Sequence, residues 1–162
     1  PQHVLLLGGS SMKTAFGSVL EQHLQDRNLQ TIREAQIGTG LSRADVIDWS
    51  ARLSDLLHKH PSIDLVIVQF IGNDCQTIVD ANHQIVAKYG TTEWNTAYIN
   101  KWDALYEATQ EANADLMIIG LPIMKNKRFD QRIQTVTKLV MKWATDHQVD
   151  FLPIRNYTVK QN

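Results

Sequence analysis

Leu65-Val66-Ile67-Val68-Gln69-Phe70-Ile71 is a run of seven residues with one polar member, and it stops at Gly72-Asn73-Asp74. Its β-branched residues suit extended backbone, and the glycine and Asx residues that follow are turn formers. The run is short for a buried helix and shows no polar alternation, so it reads as a strand covered on both faces. Strands of that kind belong to parallel sheets, whose crossover helices cover both sides.

The rest of the chain repeats the pattern. Upstream, His3–Leu7 is a short apolar run closed by Gly8-Gly9, and Gln30–Ile37 is a second strand ended by Gly38 and Gly40. Downstream, Asp115–Gly120 and Val149–Ile154 read as the fourth and fifth strands. Amphipathic stretches lie between them. Thr14–Arg27 puts Phe16, Val19, Leu20 and Leu24 on one face. Arg43–His58, with Ser42 as N-cap, turns Val46, Trp49, Leu53, Leu56 and Leu57 inward. Thr92–Asn113 carries Trp94, Tyr98, Trp102, Leu105 and Tyr106, and Asp130–His147 is a third long helix. The polar stretch Cys75–Gly90 reads as a long loop. Right-handed crossovers then give an α/β fold: a three-layer α/β/α sandwich on a five-stranded parallel sheet.

Composition narrows the function. The 162 residues make one domain, 1–162, large enough to bury a core. A net charge of −1 gives no electrostatic reason to expect a nucleic acid partner. The single cysteine, Cys75, excludes an internal disulfide and a cysteine-rich metal site. His58 and His60 suggest no third metal ligand. No cofactor is expected.

Three clusters of small and polar residues fall at the carboxyl ends of the first three strands, the rim where open α/β sheets bind ligands. Gly8-Gly9-Ser10-Ser11 sets a hydroxyl at the first turn of a helix, beside backbone N–H groups. The same loop could simply cap that helix or cradle a phosphate, but it lacks the spacing and lysine of a P-loop. Gly38-Thr39-Gly40-Leu41-Ser42 allows close backbone approach to a ligand, or is only a turn. Asn73 could donate an uncharged amide to a developing oxyanion, or close an Asx turn. Together they bring a nucleophile and two kinds of donor to one edge.

These residues resemble the SGNH/GDSL hydrolase superfamily. Gly8-Gly9-Ser10 is similar to its Gly-Asp-Ser block, Gly40 (less well Gly38) to its second-block glycine, and Ile71-Gly72-Asn73-Asp74 to its Gly-x-Asn-Asp block in shortened form. Thr39-Gly40-Leu41-Ser42-Arg43-Ala44-Asp45 with Asp48-Trp49 resembles a bacterial cell-envelope branch of that superfamily. So do Asn73-Asp74-Cys75-Gln76, Gly90-Thr91-Thr92-Glu93-Trp94 with Tyr98, and Gly120–Met124. The resemblance implies a flavodoxin-like SGNH-hydrolase fold and a serine esterase or acyltransferase. Ser10 is the implied nucleophile; the Ser10 N–H, the Gly40 N–H and the Asn73 amide hold the oxyanion. The implied substrate is a small acyl ester, acetyl on a glycan for example, in the periplasm or another extracytoplasmic compartment. A membrane-bound acyltransferase is a candidate partner.

Two departures from the pattern shape the expectations. Gly9 replaces the turn-organising aspartate, which suggests a looser turn. The Asp-x-x-His element that supplies the general base after the fifth strand has no counterpart before Asn162, so the domain is expected to lack that segment. Asp80-Ala81-Asn82-His83 has the spacing but follows the third strand, and His83 reads as a solvated loop residue. Trp94 is a candidate carbohydrate platform as well as a core residue, and Arg43 and Asp45 read as a surface or cap pair. Two other functions stay open: a degenerate ligand- or partner-binding domain, and a phosphate or nucleotide binder.

Overall fold

A computed structural model describes residues 1–157 of the chain. The five expected strands form one parallel sheet: β1 (His3–Gly8), β2 (Gln30–Ala35), β3 (Leu65–Gln69), β6 (Asp115–Ile119) and β7 (Asp150–Leu152). They lie in the order β2-β1-β3-β6-β7. The order reverses between β1 and β3, so the loops that leave these two strands diverge at a switch point and open a crevice.

Period-two alternation assigns the two faces of the sheet. Leu5, Leu7, Val66, Val68, Leu116 and Ile118 point to one side. There they meet α3 (Trp49–Lys59), α4 (Thr92–Glu111) and α5 (Lys127–Asp146) through Leu53, Trp102, Leu105, Ile133 and Val140. Val4, Leu6, Ile67 and Ile119 point to the other. They are covered by Met12 of α1 (Ser10–Lys13) and by Phe16, Leu20 and Leu24 of α2 (Ala15–Gln25). The architecture is therefore the expected three-layer sandwich. Burying each large apolar side chain contributes about 1.5–3 kcal/mol, and the larger layer holds most of them.

Several boundaries differ from the sequence reading, for physical reasons. The helix expected from Arg43 begins at Trp49, capped by Asp48, whose Oδ1 accepts from the Ser50 and Ala51 N–H groups at 3.1 and 3.2 Å. Residues 42–44 are drawn away by backbone pairing: Val79 N–H donates to the Ser42 carbonyl at 2.9 Å, and Ala44 N–H to the Val79 carbonyl at 3.1 Å. Ser42 is therefore not a cap, and Val46 is 50% exposed. The stretch expected as a loop contains an antiparallel hairpin, β4 (Ile78–Val79) with β5 (Ile85–Ala87), anchored by buried Ile78 and Ala87. Val19 faces solvent. α5 starts three residues early because the Asn126 side chain caps it, accepting from the Phe129 N–H at 3.0 Å.

This division of the core makes a stability test. Trp102, fully buried between α4 and the sheet, should cost about 3–5 kcal/mol on truncation to alanine. Exposed Val19→Ala should cost less than about 0.5 kcal/mol. Urea denaturation of the two variants measures both.

Candidate active site

The site grows from the ends of β1 and β3. Beyond β1 the chain turns at Gly9 and enters α1 at Ser10, whose carbonyl accepts from both the N–H and the hydroxyl of Thr14 at 3.0 and 2.8 Å. A side chain at position 9 has no room. Its Cβ would stand 2.9 Å from the Thr39 carbonyl oxygen and 3.4 Å from Asn73 Nδ2. The turn is thus closed by Thr39 rather than loosened by the missing aspartate.

After β3 the backbone makes a tight reversal. Gly72 N–H donates to the Phe70 carbonyl at 3.1 Å, and Ile71 between them has φ +80° and ψ −51°. This is the rare positive-φ γ-turn, strained for any residue with a Cβ and most of all for a β-branched one. Ile71 stands where the Gly-x-Asn-Asp pattern begins with glycine, which would adopt this φ freely. Burial of the Ile71 side chain in the core and a hydrogen bond from its N–H to Asp74 Oδ2 at 3.0 Å hold it there.

Asp74 organises the loops. It is fully buried. Its Oδ1 accepts from the Ser42 N–H at 3.0 Å, and its Oδ2 accepts from the Tyr98 hydroxyl at 2.7 Å as well as from Ile71. The Ser42 hydroxyl donates to the Asp74 backbone carbonyl at 2.9 Å. Burial pushes the Asp74 carboxyl above the ordinary carboxylate range, against the pull of donors from Tyr98, Ser42, Ile71 and Leu41. Gly40 packs onto this carboxylate: a Cβ there would fall 2.1 Å from Asp74 Oδ1. Sequence reasoning missed the roles of Asp74 and Tyr98. The available signal was a tyrosine within a buried helical stripe, whose hydroxyl needs a partner.

Ser10 and Asn73 line one pocket of about 200 Å³. Gly9, Ser11 and Thr39 share its polar side, and Phe70, Leu121, Met124 and Phe129 make apolar walls. Asn73 Nδ2 donates to the Thr39 carbonyl at 2.9 Å, which fixes the amide and leaves its second hydrogen uncommitted. Gly40 lies behind Thr39 and does not itself line the pocket. Among the described residues, the N–H groups of Ser10 and Gly40 have no protein acceptor. Gln69, buried at the end of β3, donates Nε2 to the Gly120 carbonyl at 3.0 Å and ties the loop after β6 to the site.

No histidine or carboxylate is among the residues lining this pocket. His83 stands apart on the β4–β5 turn, exposed, with Nδ1 3.6 Å from Asp45 Oδ2. Asp80 Oδ1 accepts from the Asn82 and Gln84 N–H groups, both at 2.9 Å, and so serves that turn. Arg43 forms a two-pronged pair with Asp45 at 2.7 and 2.5 Å. Trp94 is buried, stacked on Tyr98 at 4.7 Å with its Nε1 donating to the Gln76 carbonyl, and offers no platform to a sugar. Burial pushes the Cys75 thiol up to about 11, so it is no rival nucleophile near neutral pH.

Comparisons with known proteins agree with this architecture. The chain is similar to AlinE4, an SGNH-hydrolase family esterase, at 15% identity and a TM-score of 0.67, covering 99% of this chain and 80% of that one. It is similar to a catalytic mutant of Axe2, an acetylxylan esterase from Geobacillus stearothermophilus, at 13% identity and a TM-score of 0.66, covering 94% and 76%. The psychrotrophic esterase EstA from Pseudoalteromonas sp. matches at 16% identity and a TM-score of 0.61, covering 94% and 76%. The fold is that of the SGNH hydrolases. No curated protein sequence matches the chain. A family model described as "Protein of unknown function (DUF459)" matches residues 3–162.

The strained turn makes a test with an inverted sign. Glycine is ordinarily less stable than alanine. At position 71, Ile71→Gly should be the more stable of the two truncations by about 1 kcal/mol, because it alone relieves the positive φ. Paired urea melts of Ile71→Gly and Ile71→Ala measure the difference. Tyr98→Phe, which removes one donor from Asp74, should cost about 1 kcal/mol in the same assay.

Proposed function

The chain belongs to the DUF459 family, and we propose that it is a serine esterase or O-acyltransferase that forms an acyl-enzyme on Ser10. One observation carries the reading. A serine and an asparagine amide, delivered by strands on opposite sides of the switch point, line a single small pocket. The unpartnered N–H group of Ser10 and the fixed Asn73 amide support it as candidate oxyanion donors.

In this reading the Ser10 Oγ attacks the ester carbonyl and its proton passes to a general base. The tetrahedral oxyanion is held by the Ser10 N–H and by Asn73 Nδ2, which line the pocket, whereas Gly40, which does not, supports the loop behind them. The bond to the alcohol oxygen breaks, and the departing alkoxide takes the proton from the base. Water, or the hydroxyl of an acceptor, then repeats the sequence on the acyl-enzyme. That second attack alone separates hydrolysis from transfer. The short, largely apolar pocket suits a small acyl group such as acetyl. The residues lining the pocket supply no such base, and the SGNH resemblance sets one in an Asp-x-x-His element after the fifth parallel strand. An extracytoplasmic glycan as acceptor, and a membrane-bound acyltransferase as donor partner, belong to the same proposal.

A second reading is favoured by the lack of a titratable base on the pocket wall: a ligand-binding domain that has kept the fold without the reaction. A fluorophosphonate probe separates the two. On the natural full-length protein, labelling should be stoichiometric and should vanish in Ser10→Ala. Asn73→Ala should lower kcat/KM for p-nitrophenyl acetate on the order of 100- to 1000-fold. A full-length protein that neither labels nor turns over the ester supports the binding domain instead.

A further inference from the structure

Phe129 belongs to two depressions. On one side it walls the Ser10 pocket; on the other it borders a shallow basin lined by Asn126, Arg128 and Arg132. Arg128 and Arg132 are one turn apart on α5, so both guanidinium groups rise on the same side of the helix. Both residues are exposed.

The charge of this basin is uncompensated. Four of the other five arginines face carboxylates, Arg33 with Glu21, Arg43 with Asp45, Arg52 with Glu34, and Arg155 with Asp130, and the fifth, Arg27, donates to the His23 carbonyl at 2.9 Å. Among the described residues, Arg128 and Arg132 form no ion pair, and neither do the neighbouring Lys125 and Lys127. The one acidic group in the same turn, Asp130, is turned inward. It accepts from Arg155 at 2.7 and 2.5 Å, from the Met124 N–H at 2.8 Å and from Gln134 at 3.0 Å. Arg132 lies over the Tyr89 ring, 5.5 Å from its centroid, which orients the guanidinium without neutralising it. Like charges at this spacing disfavour a helix. The chain as a whole carries a net charge of only −1, so the cluster is a local feature and not a general surplus of cations.

We propose that the basin is an oxyanion subsite, and that the substrate is an acyl ester whose alcohol part carries a phosphate or a carboxylate. The inference rests on the esterase reading of Ser10. The small acyl group occupies the pocket beside Ser10. The alcohol part passes over Phe129, and its anion meets the paired planar donors of Arg128 and Arg132. The subsite would bring anionic esters in faster and hold them longer, both in a salt-dependent way.

The test uses the natural full-length protein and has a catalytic arm and a binding arm. In the first, kcat/KM is compared for acetylated glycerol 3-phosphate, an acetylated methyl glucuronide and neutral acetylated glycerol. At least one anionic ester should be preferred about tenfold or more. The Arg128→Gln/Arg132→Gln double variant should bring the anionic-to-neutral ratio towards one, mainly through KM, and Arg128→Lys/Arg132→Lys should restore part of it. In the second arm, calorimetry follows glycerol 3-phosphate and glucuronate binding to Ser10→Ala. Binding should weaken as salt rises and be lost when both arginines are replaced by glutamine. The anion that binds identifies phosphate or carboxylate as the partner. Equal use of neutral and anionic esters, or anion binding that is absent or indifferent to the two substitutions, overturns the subsite even if p-nitrophenyl acetate is turned over. Arginine-dependent anion binding in a protein that never labels with fluorophosphonate counts for the subsite and against the Ser10 chemistry.

Discussion

One buried carboxylate holds the rim of this sheet together. Asp74 reaches the loop after β2 through the Ser42 N–H, its own loop through the Ile71 N–H, and α4 through the Tyr98 hydroxyl. Each of those donors would be costly to bury alone, and so would the carboxylate. Together they satisfy one another and fix the relative heights of two loops that share no sequence neighbourhood. Gly40 and Asn73 are where they are because Asp74 is where it is: Gly40 packs on its Oδ1, and Asn73 precedes it in a single 3-10 turn.

The same network explains how a polar site can sit on a hydrophobic sheet without loosening it. The Asn73 amide is held by the Thr39 carbonyl, and Thr39 is held in turn by its own hydroxyl donating to the Gln36 carbonyl at 2.7 Å. In the loop after β3 the strain falls on Ile71, whose side chain lies in the core. A preorganised donor needs little rearrangement when charge develops next to it. The cost of that preorganisation is met in folding, by the burial beneath the loop.

The layer architecture was legible in the sequence because it depends on local pattern. Apolar runs of strand length, amphipathic runs of helix length and glycines at their junctions gave the five strands, their parallel arrangement and the rim where Ser10 and Asn73 meet. What escaped was set by pairings distant in the chain. Nothing near Arg43 announces that Ser42 and Ala44 will pair with Val79, so the helix was read six residues too early. Trp94 reads as core with a carbohydrate platform as the lesser alternative, and its stacking on Tyr98 and its bond to the Gln76 carbonyl settle it as core. The cations of residues 125–132 are visible as letters, but their lack of carboxylate partners emerges only when Arg33, Arg43, Arg52 and Arg155 are seen with theirs.

Gly9 has a bearing on how such a protein can change over generations. The volume that an aspartate would need there is occupied by the main-chain oxygen of Thr39, and main chain cannot rotate aside as a side chain can. A mutation that places aspartate there would therefore meet a wall built by another loop. Accepting it would require movement at position 39, and with it the support of Asn73. Positions 9 and 39 are thus tied, and neither loop is free to vary without the other.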